Sequence, residues 1–502
     1  MATPFYITTA INYPNGRPHI GHAYEAIAAD AIARFQRQQG RDVRFQTGTD
    51  EHGLKMMQTA RDRGVETRAL ADEMSGYFQA MVTGLNISCD RFIRTVEPGH
   101  YAASQAIWQA MADAGDLYLD RYEGWYSVRD EAFYEEKELT EGEGGQKLSP
   151  QGTPVEWTAE ETWFFRLSRY QQPLLDLYAA QPDFIRPESR RNEILRFVEG
   201  GLIDLSVSRT SFDWGVPVPG SPGHVMYVWV DALTNYITGA GYPDDPEAFA
   251  KWWPADIHLI GKDIVRFHAV YWPAFLMSAK LPLPKQVFGH GFILNRGEKI
   301  SKSAGNGTVD PMELARLYGV DALRYFLLRD VSFGNDGSFS DEAIVTRANA
   351  DLSNSFGNLA QRTLAFIAKN LDGKIEAGRS EAADAALLAE VRNGCEAFRA
   401  AFHDLALSQG VEAWMGGVFA CNQYIDAQAP WALRKSDPER MHAVLATLLG
   451  AIRELAVTIQ PVVPTAAAAL LDQLGPEGDP DFRIAPPTPI FPRLELRQSE
   501  EA

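Results

Sequence analysis

PFYITTAINYPNGRPHIGHAYEAIAADAIARFQRQQGRDVRFQTGTD, residues 4–50, is the stretch whose reading decides the fold. Residues 5–11 (FYITTAI) are β-branched and aromatic, the composition of a buried strand. Turn residues follow from Asn12 to Pro18. His19–Gln39 is rich in Ala, Ile and Gln and reads as a helix, and residues 42–47 (DVRFQT) read as a second strand. Strand, loop, helix, strand predicts a parallel βαβ unit. Pro18 suits a first helical turn, and a helix N-terminus attracts anions through its outward N–H groups. His19 and His22 share one face there and are placed to hydrogen-bond a phosphate chain. Gly21 permits close approach of a ring or phosphate to the backbone. The segment therefore reads as a nucleotide-binding start; a helix start with incidental histidines is the alternative. A zinc pair is disfavoured, because helical zinc histidines prefer i,i+4 spacing.

Outward from this unit, Arg61–Gly84 is again helical. Residues 116–215 hold aromatic runs (GWYSVRDEAFY, ETWFFRLS) around a polar, Gly-rich stretch and read as an insertion. Strand signals return at 224–230 (HVMYVWV), 257–260 (IHLI) and 286–293 (QVFGHGFI). Beyond about 345 the pattern is helical. The clearest case is 441–459, where Met441, Val444, Leu445, Leu448, Leu449, Ile452, Leu455, Ala456 and Ile459 keep a 3–4 spacing, one core-facing stripe. The Pro-rich tail 484–492 reads as extended. The expected fold is α/β: a Rossmann-like parallel sheet, split by an insertion and followed by an all-α helical bundle. The expected divisions are 1–115 and 216–293 for the two halves of the sheet domain, 116–215 for the insertion, 294–345 for a connecting region and 346–502 for the bundle.

The 502 residues are 45% hydrophobic and 11% aromatic, ample for large cores. A net charge of −19 argues against nucleic-acid binding by bulk charge and against a polybasic membrane anchor. Cys89, Cys395 and Cys421 lie far apart, so neither a disulfide framework nor a thiolate zinc site is readable. With no secretory pattern at the start and no 18-residue apolar run, the expectation is a soluble, cytoplasmic, multidomain protein.

A second motif, Lys299-Ile300-Ser301-Lys302-Ser303, precedes Ala304-Gly305-Asn306. Two lysines among small residues suit a mobile loop that clamps phosphates, since lysine is a compact charge on a flexible stem. By itself the string reads equally as a solvated basic loop. Together with the His19–His22 motif about 280 residues earlier, on a split parallel sheet, it resembles the class I aminoacyl-tRNA synthetases. Within that class the chain resembles the methionyl-tRNA synthetase family from about residue 4 to 497. The insertion is shorter than the editing insertions of the Leu, Ile and Val enzymes, and the cysteines of a cysteinyl pocket are missing. The matching segments are Ala10-Ile11-Asn12-Tyr13-Pro14-Asn15-Gly16, Thr49-Asp50-Glu51-His52-Gly53, Tyr227-Val228-Trp229-Val230-Asp231-Ala232 with Tyr236, and Gly261–His268 with Trp272. In the last domain they are Asn358–Arg362 and Asn422–Trp431.

The resemblance implies that Tyr13, Asn15, Gly16, His19, Gly21, His22, Gly261, Asp263, Lys299, Ser301 and Lys302 bind ATP, with His19, His22, Lys299 and Lys302 catalytic. It implies a methionine pocket of Ala10, Ile11, Tyr13, Trp229, Ala232, Leu233, Tyr236, Ile264, His268 and Trp272, with Asp50 pairing with the substrate ammonium. A thioether favours such aromatic surroundings. The anticodon of tRNA(Met), initiator tRNA included, falls to Asn358, Arg362 and Trp431. Mg²⁺ is expected with ATP. Residues 346–502 hold 14 basic against 20 acidic residues, so tRNA binding has to rest on local arginines and base stacking. Two departures stand out. Leu233 replaces a proline common in the family, and residues 116–215 contain no cysteine where many members carry zinc knuckles. No zinc is therefore expected, with the aromatics Trp125, Tyr126, Phe133, Tyr134, Trp163, Phe164 and Phe165 forming a core in its place. Lacking the appended C-terminal domain through which some members dimerise, the chain is expected to be a monomer. The competing readings are a class I enzyme for another small apolar amino acid and a non-catalytic tRNA-binding protein on the same fold.

Overall fold

The computed structural model describes residues 2–129, 132–295, 298–299, 309–477, 479 and 481–496. It contains two compact units: Met1–Ala29, Gly40–Thr83 and Ile87–His290 form the first, and Asp30–Gln39, Gly84–Asn86 and Gly291–Ala502 the second.

In the first unit six strands make one sheet: β1 (Pro4–Asn12), β2 (Asp42–Thr49), β3 (Arg91–Arg94), β4 (Ile185–Arg186), β5 (Ile257–Gly261) and β6 (Val287–His290). Their spatial order is 3-2-1-5-6-4, and every neighbouring pair is parallel. A fully covered parallel sheet calls for near-continuous apolar strands, which is why Phe5, Tyr6, Ile7, Val43 and Phe45 are all buried. The chain leaves β1 toward β2 on one side, and β5 lies on the other. Ligands of open α/β sheets sit at the carboxyl ends of the strands at such a reversal. Between Thr8 and Ile11, three residue steps of β1 match two of β2, a bulge that re-aims the chain just before the following loop. Gly48 on β2 is required by packing, since a Cβ there would lie 2.0 Å from the Ile93 carbonyl oxygen.

The first βαβ unit stands as expected, with α1 spanning Ile20–Gln38; from Asp30 onward this helix is grouped with the second unit. The expected strand at 224–230 is mostly not one. Only Val225–Met226 pairs, antiparallel with Ser208–Arg209, and Val228–Thr238 is a helix, α2. Nearly every α2 residue is buried, and a run apolar on all sides has no periodicity to separate strand from helix. The expected strand at 286–293 is also divided. β6 ends at His290, and Ile293–Asn295 joins a different, three-stranded sheet.

The insertion carries a four-stranded antiparallel sheet of Leu205–Ser206, Glu156–Phe165, Leu117–Ser127 and Ala132–Tyr134. Its aromatics do not form one core. Phe165 packs into the main core with Phe275, and Trp163 lies against that core. Trp125 meets Trp157, which is 57% exposed. The adjoining loop is closed by three buried hydroxyls: Thr153 Oγ1 is 2.7 Å from Ser127 Oγ and 2.8 Å from Ser149 Oγ.

The second unit is largely helical, built around Ala382–His403, Leu407–Gln428 and Pro438–Ile459. The expected stripe on Pro438–Ile459 is buried except at Leu449, which is half-buried. This helix is long and apolar enough to cross a membrane, at a mean hydropathy of 1.5, although the sequence reading expected no such segment; its apolar face is core. Arg324 and Asp30 are wholly buried and paired at 2.7 Å. Arg324 also donates to the carbonyls of Val462 (3.0 Å) and Pro461 (2.9 Å).

Candidate active site

Three segments leave the carboxyl ends of adjacent strands: the loops 13–19 after β1 and 50–53 after β2, and the helical turns 262–268 after β5. The first carries the paired histidines. His19 and His22 stack with centroids 3.7 Å apart. The Gly21 backbone N–H donates to His19 Nδ1 (3.1 Å), and the His19 N–H donates to His22 Nδ1 (3.1 Å). Both Nδ1 atoms are thus acceptors, which puts the proton of each neutral ring on Nε2. Each ring presents an N–H donor at that end, as phosphate oxygens require. Gly21 is needed for a reason within the motif: a Cβ there would lie 3.0 Å from the His19 ring. Tyr13 is half-buried, its hydroxyl accepting the Met56 N–H (3.1 Å), and the Asn15 N–H donates to the Tyr13 carbonyl. Gly16 lies in the same half-buried loop. Across from it, a Cβ at Gly261 would lie 2.8 Å from Asp263 Oδ1, and Asp263 is exposed. The side chain of Lys299, and all of Ser301 and Lys302, lie outside the described residues.

The expected amino-acid pocket is assembled from α2 and the segment after β5. Trp229 stacks on Phe267 at 3.8 Å with planes 5° apart, and meets His268 edge-on at 6.1 Å. His268 sits in a turn of π-helix, Phe267–Tyr271, a geometry common at functional sites. Its Nδ1–H donates to the Ile264 carbonyl (2.9 Å), so Nε2 accepts from the Tyr236 hydroxyl (2.6 Å). Ala10, Ile11 and Ile264 are half-buried, whereas Ala232 and Leu233 are buried. Trp272 is placed differently from the expectation of a pocket wall. It is wholly buried in the layer behind Tyr236, its indole N–H donating to His258 Nε2 (3.3 Å) and its ring 6.2 Å from that of Tyr236.

Burial lowers the His268 pKa to about 4 and holds that of His258 well below its ordinary value, with His268 adding to the effect. An unfolded histidine titrates near 6.5. Between those values the unfolded chain binds a proton that native His268 refuses. The stability from His268 is complete above about pH 6.5 and falls by about 3 kcal/mol as pH drops toward 4. His268→Gln should therefore flatten the acid limb of a urea-midpoint-against-pH curve by about one proton.

Asp50 is buried, and its N–H donates to the Asn12 carbonyl (2.8 Å). The neighbouring Glu51 carboxylate is wholly buried and takes two hydrogen bonds from Arg94 (2.7 and 2.6 Å). Trp214, from the end of the insertion, donates its indole N–H to the Glu51 carbonyl (2.6 Å) and accepts the Gly53 N–H (3.1 Å).

Sequence reasoning missed Glu25, one helical turn after His22. It is buried, with Oε2 2.8 Å from His290 Nε2. Burial pushes its carboxyl up, opposed by the His290 hydrogen bond. Its i,i+3 relation to His22 was the available signal.

In the second unit, Asn358 is exposed on the helix Asn358–Asn370, and Arg362 lies one turn further along it. Arg362 pairs with Asp426 (2.8 Å), and its guanidinium lies 5.2 Å from the centre of the Trp431 ring, which is 46% exposed. Arg362 and Trp431 are thus brought together as a planar, solvent-facing pair suited to stacking on a base.

A family model described as tRNA synthetases class I (M) matches residues 5–364. A second, the anticodon binding domain of methionyl tRNA ligase, matches residues 375–483. A parallel sheet with its histidine pair at the strand reversal is thereby that of a class I aminoacyl-tRNA synthetase. The chain is 57% identical to a methionine–tRNA ligase of Brucella suis, covering 97% of this chain and 98% of that one. It is 56% identical to one from Mycobacterium bovis, with 99% of each covered. The solved structure of Mycobacterium tuberculosis methionyl-tRNA synthetase in complex with methionyl-adenylate superposes with a TM-score of 0.94 at 56% identity, over 98% of this chain and 100% of that one. The chain belongs to the methionyl-tRNA synthetase family.

Proposed function

We propose that the protein is a methionine–tRNA ligase. It joins L-methionine to ATP, releasing pyrophosphate, and passes the methionyl group to the 3′ end of tRNA(Met), releasing AMP. The observation carrying this reading is the match to methionine–tRNA ligases over nearly the whole chain, supported by two Nε2–H donors in the segment after β1, Asp50 after β2, and Trp229, Tyr236 and His268 from α2 and the segment after β5. The substrate carboxylate is already ionised and attacks the α-phosphorus in line, so no general base is required. Catalysis rests on positioning and on donors aimed at developing charge. His19 and His22 hold the phosphates; Lys302, assisted by Lys299, neutralises the departing pyrophosphate, with Ser301 between them in the sequence. Tyr13, Asn15, Gly16, Gly21, Gly261 and Asp263 complete the nucleotide site, and Mg²⁺ accompanies the triphosphate.

Asp50 takes the ammonium, and the thioether lies among Ala10, Ile11, Tyr13, Trp229, Ala232, Leu233, Ile264 and His268, with Trp272 supporting from behind. Asn358, Arg362 and Trp431 read the anticodon of both elongator and initiator tRNA. The insertion works without zinc. Residues 116–215 contain no cysteine to supply a thiolate ligand. The enzyme acts as a cytoplasmic monomer.

The test is amino-acid-dependent exchange of labelled pyrophosphate into ATP, without tRNA, across all twenty amino acids. Exchange with methionine far above isoleucine, leucine, valine and cysteine is expected. Preference for another amino acid overturns the pocket assignment, and no exchange in folded, Mg²⁺-supplied protein overturns the catalytic reading.

A further inference from the structure

Asp231 lies on α2 with no exposure to solvent. Each carboxylate oxygen meets an imidazole: Oδ2 is 2.6 Å from His52 Nδ1, and Oδ1 is 2.6 Å from His100 Nε2. Burial alone pushes this carboxyl up, but the hydrogen bonds and attraction of the two histidines reverse the effect and hold it well below the usual carboxylate range. Asp231 is therefore an anion accepting an N–H from each ring. The far side of each ring is also engaged. His52 Nε2 is 2.9 Å from the Tyr101 hydroxyl, and His100 Nδ1 is 3.1 Å from Thr238 Oγ1 at the end of α2. One carboxylate thus joins three elements: the loop after β2, the helix Pro98–Asp113, and α2.

Two of those elements bear on the amino-acid substrate. His52 is two residues from Asp50 on the β2 loop, while α2 carries Trp229, Ala232 and Tyr236. We propose that Asp231 is a positioning residue for amino-acid recognition, fixing through His52 and its own helix the separation between the Asp50 carboxylate and the side-chain pocket. This rests on the reading of Asp50 as the ammonium partner. Methionine is held at both ends, so a small error in that separation weakens both grips together, and a misplacement of 1 Å costs on the order of 100-fold. Asparagine at 231 keeps the shape but turns an amide toward one imidazole N–H, leaving facing donors in a buried site.

The experiment is methionine-dependent pyrophosphate exchange by the full chain as wild type, Asp50→Asn, Asp231→Asn and the double variant, with inhibition by 4-(methylthio)butanoic acid, which lacks the ammonium. Each single variant should raise KM for methionine about tenfold or more, leaving KM for ATP within about twofold. The double variant should be little worse than Asp50→Asn alone, because the two act as one unit. The deaminated acid should inhibit wild type and Asp231→Asn alike. Unchanged KM in Asp231→Asn, effects that multiply in the double variant, or equal weakening of the deaminated acid overturns the proposal. Unchanged KM in Asp50→Asn overturns the ammonium reading and the proposal with it. Should Asp231→Asn not fold, His52→Asn, which removes the link from Asp231 to the loop together with the Tyr101 contact but leaves the His100 link in place, carries the same expectations.

Discussion

Methionine-dependent exchange of pyrophosphate into ATP by His22→Ala should run roughly 100- to 1,000-fold slower than in the wild type, with KM for methionine nearly unchanged. His22 Nδ1 accepts the His19 N–H, so the N–H of the neutral ring lies on Nε2. Charge on the phosphate oxygens grows as the carboxylate attacks, and a fixed donor at that point lowers the barrier more than it strengthens ground-state binding. Lys302→Ala should lose a similar amount, about 3–4 kcal/mol of barrier, through the leaving pyrophosphate. His22 also satisfies a backbone donor at the start of α1, so thermal unfolding must be measured alongside. A fall in rate without a matching loss of folded protein isolates the chemical role, and wild-type turnover in either variant overturns its assignment.

Arg324→Met should lower the stability of the helical unit by roughly 3–5 kcal/mol in urea unfolding. The change takes the guanidinium away from buried Asp30, which keeps its bond to Arg34 at 2.7 Å, and removes the Arg324 donor from the carbonyls of Pro461 and Val462. Arg324→Lys should recover little, since a single ammonium cannot reproduce a planar fork that serves a carboxylate and two carbonyls at once. The double variant Asp30→Leu/Arg324→Met should lose less than the two single changes together, because it removes the stranded charge. Full additivity would show that the pair contributes nothing as a pair.

What could be read from the chain beforehand was local. The run FYITTAI, the helix after Pro18 and the run DVRFQT each announce themselves within ten or twenty residues, and a parallel βαβ unit follows from their order. HVMYVWV misled because burial on every side erases the alternation that marks a strand. The histidine pair was visible as a motif, but not the use of each Nδ1 as a backbone acceptor, which depends on a fold-back of the His19 ring over Gly21. The tie between Asp231, His52 and His100 had no local signature. Its members sit far apart in the chain, and only the stacking of three elements brings them within hydrogen-bond reach. Trp272, which the resemblance places in the pocket wall, lies wholly buried beside Tyr236.

The π-turn at Phe267–Tyr271 has a consequence at the level of the gene. Such a turn differs from the surrounding α-helix by one additional residue, and one residue corresponds to about 100° of rotation around a helix axis. Loss of a single codon within this segment would let the helix close into an ordinary α-turn with its backbone bonds intact. It would also swing His268 away from the Tyr236 hydroxyl and Phe267 away from Trp229. An in-frame deletion here would thus leave the helix continuous while dismantling the contacts around the proposed amino-acid site.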